Sequence, residues 1–172
     1  LESHFFLQSP YGNSKAYHPM KSNSEKIAKR LNALIGKNRD AEKGFAKAAD
    51  NAKAKSFAFW CNDRSVERKM FNEELKVEVA SFGQDFDESG SLSGDLHRTW
   101  MDMKAWVQAD SDQAIIKKAI SGEKAAIREY NEVLAEMGLP SSTQMVLVDH
   151  LAKIEQGLEV LQALDEIEYQ EE

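Results

Sequence analysis

Three glutamates and two arginines set at helical spacing are the residues of this chain that could do chemistry. Glu42, Glu67 and Glu123 each fall on or beside an apolar seam, and Arg64 and Arg68 lie in the same seam region as Glu67. Carboxylates drawn together from several helices can hold a divalent cation, whereas the same carboxylates beside guanidinium groups form an ion-pair cluster. Buried charges are tolerated chiefly when paired, so the cluster is the expected arrangement and a carboxylate-only metal site from Glu42, Glu67 and Glu123 is the alternative. Glu123 is the sharpest case. An unpaired carboxylate in a seam is costly, so it must be hydrogen-bonded, ion-paired, protonated or on a metal.

The elements that position these groups follow from apolar periodicity. Ile27, Leu31, Leu34, Asn38, Ala41, Phe45, Ala48 and Ala52 alternate steps of four and three, the mark of a bundle helix. After a break at Asn51 to Lys55, the spacing resumes with Phe57, Cys61, Arg64, Arg68, Phe71, Leu75, Glu78 and Phe82. Folding the two helices back on one another about Lys53 to Lys55 brings Glu42 level with Glu67, Asn38 with Phe71 and Phe45 with Arg64. A third helix is predicted after a capping region at Asp110 to Asp112, with Ile116, Ala119, Glu123, Ala126, Tyr130, Val133 and Met137 as its seam. Gly138, Leu139 and Pro140 end it, and Ser141 or Ser142 can cap the next. The fourth helix carries Leu147, Leu151, Ile154, Leu158 and Leu161, with Val146, Val160, Leu164 and Ile167 widening the face.

Mirroring this second hairpin about Gly138 to Pro140 puts His150 near Tyr130, which can donate a hydrogen bond. His150 then stands about six residues, or roughly 9 Å, from the level of Glu123. It is expected as a rim histidine, and Glu155 as a solvated edge residue.

Composition narrows the function classes. The chain has 172 residues, a size suited to one domain, with only three prolines and nine glycines and no alternating β-branched run, so an all-α fold is predicted. Its net charge of -7 argues against nucleic acid, which would call for basic clustering. No apolar run approaches the roughly 20 residues that span a bilayer, so no membrane role is expected. Cys61 is the single cysteine, which rules out an internal disulfide and fits a cytoplasmic location. Residues 1–20 lack helical period and a basic, hydrophobic leader; they are expected to be a flexible arm or an added segment ahead of a start at Met20. Residues 21–172 form the single domain: hairpin 24–83, crossover 90–109 and hairpin 111–168.

Between the hairpins runs GSLSGDLHRTWMDMKAWV, Gly90 to Val107. Gly90 and Gly94 interrupt helix, Ser93 and Asp95 can cap a new one, and Leu96, Trp100, Met103 and Val107 recur as a stripe. This crossover helix is expected to act as a strap: Trp100 anchors it, Arg98 clamps helix ends and His97 bonds locally. An anion site built on His97 and Arg98 is the rival reading.

Two hairpins joined by one long crossover form the ferritin-like arrangement of a four-helix bundle. Glu67-Arg68, Phe71, Glu74-Leu75, Glu78, Phe82-Gly83, GSLSGDLHRTWMDMK and Gly122-Glu123 with Tyr130 resemble a bacterial family of uncharacterised proteins in the ferritin-like superfamily. The resemblance runs from about Ser24 to Leu164 and implies the fold without an established activity. The wider superfamily includes di-iron and di-manganese carboxylate proteins, which use Glu-x-x-His pairs. Here Glu67-Arg68-Lys69-Met70 and Leu147-Val148-Asp149-His150 stand in those places, and none of the four histidines has an acidic residue three positions before it.

The expectation is therefore a non-enzymatic structural or interaction protein with a degenerate metal site, with no cofactor beyond a weakly bound divalent metal. A homo-oligomer is the expected partnership, and no other protein partner is identified. The alternative is a carboxylate-bridged metal-binding protein that stores or oxidises iron or manganese.

Overall fold

The computed structural model of the chain describes residues 19–86 and 111–168. Its four helices are α1 (Pro19–Asn51), α2 (Lys55–Ser81), α3 (Asp112–Leu134) and α4 (Ser141–Glu168), with no strand among the described residues. Residues 1–18 and the strap, with His97, Arg98, Trp100 and the crossover 90–109, lie outside the described residues. Helix α1 starts at Pro19, five residues ahead of the Ser24 boundary that the periodicity suggests. Helix propensity extends beyond the apolar seam.

Cross-helix bonds fix the topology. Ser65 Oγ donates to the Glu42 carbonyl at 2.8 Å, which sets α1 antiparallel to α2 at the level read from the turn. Lys37 pairs with Glu129 at 3.0 Å and Arg30 with Glu136 at 3.1 Å, so α1 is antiparallel to α3 as well. Thr143 Oγ1 donates to Glu78 at 2.6 Å and His150 meets Glu74 at 2.6 Å, setting α2 antiparallel to α4. Helices α2 and α3 are then parallel.

The start of α3 carries this arrangement. Ser111 caps the helix, its Oγ accepting from the Ala114 amide at 3.2 Å. Asp112 turns away and accepts from the Lys53 and Ala54 amides, at 2.7 and 2.8 Å, at the start of α2. Helix α2 ends a full length away, about 40 Å at 1.5 Å per residue. The chain between Phe86 and Ser111 thus joins opposite ends of the bundle, as a ferritin-like four-helix bundle requires. At the far end Gly138, with φ 77°, supplies the left-handed turn from α3 to α4, which a side chain would strain.

The interior is two apolar clusters separated by polar groups. One holds Ile27, Leu31, Ile35, Leu75, Leu147 and Ile154; the other, nearer the α1 to α2 turn, holds Phe45, Phe57, Cys61, Ile115 and Leu161. Burial and the Asp112 charge push the Cys61 thiol up to about 12, so it packs as a small apolar residue. Four expected positions differ. Met137 is 87 % exposed because α3 has already ended, and Val160 and Ile167 face outward rather than widening the core. His150 is fully buried rather than at the rim.

Candidate functional site

The polar layer between the clusters is built from seam positions of all four helices. Asn38 of α1, Arg68 of α2, Glu123 and Tyr130 of α3 and His150 of α4 are each at most 3 % exposed. Arg68 reaches across the bundle: one guanidinium nitrogen donates to Glu123 Oε2 and the other to Asn38 Oδ1 at 3.1 Å. The guanidinium carbon also lies 5.5 Å from the centre of the Phe71 ring. Glu123 is therefore ion-paired, one of the four outcomes its seam position left open, and its partner comes from across the bundle.

A second arm leads away from this pair. Asn38 Nδ2 donates to the Leu34 carbonyl at 3.1 Å and to Tyr130 Oη at 2.7 Å. Tyr130 Oη meets His150 Nδ1 at 3.1 Å, and His150 Nε2 meets Glu74 Oε2 at 2.6 Å. The Glu74 carboxylate only accepts, so a His150 ring kept neutral by burial holds its proton on Nε2 and leaves Nδ1 to accept from Tyr130 Oη, which itself accepts from the Asn38 amide. The Nε2 proton points to the half-exposed side of the chain, at Glu74. Phe71 stacks on the His150 ring with centroids 3.9 Å apart, which fixes its plane.

Burial governs the electrostatics. It raises the Glu123 carboxyl above its ordinary range, against the lowering effect of Arg68 and of the Arg68 hydrogen bond, while Glu67 adds to the rise. Burial lowers His150, opposed by the bond and charge of Glu74. Burial likewise raises Tyr130, which stays a neutral phenol.

The three carboxylates singled out from sequence are placed differently from one another. Glu67 pairs with Arg64 on its own helix at 3.0 Å, and Glu123 pairs with Arg68. Glu42 is half-buried at the level of Ser65 and meets α2 through its carbonyl. Glu67 and Glu123 come within electrostatic range of each other. Among the described residues, no three His, Cys, Asp or Glu side chains are grouped to hold a metal ion. Glu123 Oε1, Arg68 Nε and Arg64 Nε are buried without a hydrogen-bond partner. A Cβ placed on Gly157 would stand 3.6 Å from that Glu123 oxygen.

Sequence reasoning missed the Arg68 to Glu123 bond and the role of Glu74. Mirror arithmetic relates helices joined by a short turn, and neither α2 with α3 nor α2 with α4 is so joined. The Tyr130 to His150 contact was found because Gly138 to Pro140 does join those two helices.

Beside the layer lies a cavity of about 190 Å³ between α1 and α3. Ala41, Gly44, Phe45, Ala119 and Ala126 give it apolar walls, and Asn38, Arg68, Glu123 and Tyr130 line its polar side. Lys37 and Glu129, bonded to each other, are also in the lining.

With fold and geometry in place, comparison with known proteins gives three findings. A family model described as Domain of unknown function (DUF2383) matches residues 26–136. No curated protein matches the chain. Two solved structures share the fold: the bacterioferritin-related protein of Bacteroides fragilis, described as a dodecameric thioferritin, and the DPS protein of Vibrio cholerae O1, described as a member of a broad superfamily of ferritin-like diiron-carboxylate proteins. The first is 14% identical, with a TM-score of 0.71 over 86% of this chain and 89% of that one. The second is 13% identical, with a TM-score of 0.67 over 89% of this chain and 99% of that one.

Proposed function

We propose, from the premise that this chain belongs to the family described as Domain of unknown function (DUF2383), that it is a non-enzymatic structural or interaction protein built on a ferritin-like bundle. In this reading Arg68 supplies the positive charge at the bundle centre that balances Glu123. The observation that carries it is the Arg68 guanidinium, 1 % exposed and bonded to both Glu123 and Asn38.

The donor set does not fit a two-metal carboxylate centre. A cation beside Glu123 would face Arg68, and Glu67 is held by Arg64. Both nitrogens of His150 are engaged, by Tyr130 and Glu74. One observation favours the second reading, a weakly held divalent ion: Glu123 Oε1 is buried without a partner, with Glu67 in electrostatic range.

Self-association belongs to the same proposal. Phe59, Val66, Met70 and Val77 recur at steps of seven, four and seven along α2, all at least half exposed, and form one apolar stripe. The dodecameric description of the Bacteroides fragilis protein agrees with a bundle that meets further copies of itself. No described helix is long and apolar enough to cross a membrane, and a cytoplasmic place goes with this reading.

One sample tests the whole reading: the chain purified without chelator or metal-affinity tag, sized by light scattering and assayed for iron and manganese. A homo-oligomer with far less than one metal ion per chain is expected. Near-stoichiometric metal that vanishes in Glu67→Gln or Glu123→Ala would replace this reading with the metal-binding one, and a monomer would remove the self-association.

A further inference from the structure

The cavity between α1 and α3 and the chain of bonds leaving it have a use that structural support does not require. Tyr130 and Asn38 line the cavity, whereas Glu74 lines a groove between α2 and α4 on the other side of the bundle. The bonds therefore cross the interior from one recess to the other. Their order is set by chemistry: Asn38 must donate to Tyr130, Tyr130 to His150, and His150 to Glu74.

This order decides what Tyr130 presents to the cavity. Its hydroxyl proton is committed to His150 and one lone pair to Asn38, so the remaining capacity of Oη is as an acceptor. Each bond in the chain ends on the Glu74 carboxylate and polarises the one before it, which makes that acceptor stronger than an isolated phenol. Arg68 is paired with Glu123 and Lys37 with Glu129, which leaves Asp40 as a further carboxyl in the lining, its own charge disfavoured by burial. The alanine, glycine and Phe45 walls favour an apolar body on the inner side of this half-open space. At about 190 Å³ the space matches a single ring, since a dry cavity of roughly 150 Å³ takes up benzene.

We infer that this cavity binds a small neutral molecule with an apolar, ring-sized body and one hydroxyl group, which donates its hydrogen bond to Tyr130 Oη. No bond is made or broken in this step. The relay through His150 to Glu74 is the positioning device for the acceptor. The inference does not depend on whether the bundle takes up metal, which elemental analysis settles separately.

Phenol and toluene, titrated separately into the full-length chain and followed by NMR, test it. Phenol is expected to bind saturably and about tenfold more tightly than toluene, the worth of roughly one hydrogen bond. Intermolecular NOEs should run to the Ala41, Ala119 and Ala126 methyls. Tyr130→Phe should bring phenol down to the toluene affinity while leaving toluene unchanged, and Glu74→Gln should reduce the difference in part. Ala126→Leu should fill the space and abolish both. Equal affinity for the two probes, NOEs to methyls elsewhere, or no saturation below about 10 mM, a weak affinity even for a ligand this small, would overturn the inference. Should either core variant fail to fold, the NOEs and the phenol-to-toluene ratio of the natural chain decide it.

Discussion

Two polar arms leave Asn38, and they solve the same problem in different ways. Along Asn38, Tyr130, His150 and Glu74, every contact is a hydrogen bond between matched donor and acceptor, and the last group is half-exposed. Along Asn38, Arg68 and Glu123, two full charges meet deep inside, and each keeps one buried atom without a partner. The first arm conducts its charge to water and needs no compensation in the core. The second must be neutral within itself. Buried polarity is thus inexpensive where it ends at solvent and demanding where it closes on itself.

The largest expected effect comes from breaking the closed arm. Arg68→Ala strands the Glu123 carboxylate and should lower stability by about 3 to 5 kcal/mol in urea denaturation. Replacing both partners, Arg68→Met with Glu123→Leu, should recover most of that loss. Failure of the pair to recover it would mean that Arg68 matters for its contacts with Asn38 and Phe71 rather than for charge. The open arm should be less sensitive. Tyr130→Phe removes a hydroxyl and leaves Asn38 and His150 short of one bond each, an effect of about 1 to 3 kcal/mol. A cost equal to that of Arg68→Ala would erase the distinction between the arms.

The smallest effect is read from pH. Burial holds His150 below its ordinary 6.5, so the folded state binds this proton less readily than the unfolded chain. Its contribution to stability is complete above 6.5 and is lost as pH falls through 6.5 toward the folded value. Glu123, raised above 4.5 by burial, has the opposite sign: its contribution is complete below 4.5 and is lost as pH rises through the folded value. Melting temperature should therefore fall on acidification from about pH 7 to 5, the range in which histidine titrates. His150→Asn should flatten that slope, and an unchanged slope would move the acid sensitivity to another group.

How far each arm was legible follows from connectivity. The helix seams, the turn at Lys53 to Lys55 and the level of Tyr130 against His150 came from periodicity and short turns, which are local properties. The need of Glu123 for a partner was legible too, from its seam position alone. Its identity was not, because α2 and α3 are related through the crossover and no short turn sets their register. His150 was taken for a rim residue because it borders the leucine and isoleucine face of its helix in sequence. The stacked Phe71 and the Glu74 bond that bring it inside belong to α2. Met137 read as core because a helical period continues in sequence past the residue where the helix stops.

Asp112 gives the molecule an interdependence of a further kind. Helix α2 begins at Lys55, its N-cap residue Ala54 offers no side-chain cap, and the carboxylate that quiets the Lys53 and Ala54 amides arrives from the opposite hairpin. A fragment holding only the first hairpin would lack that clasp and fray at the Ala52 to Lys55 bend. The two halves of the sequence are thus tied at a helix terminus, where a single acidic side chain reports whether the whole chain has docked.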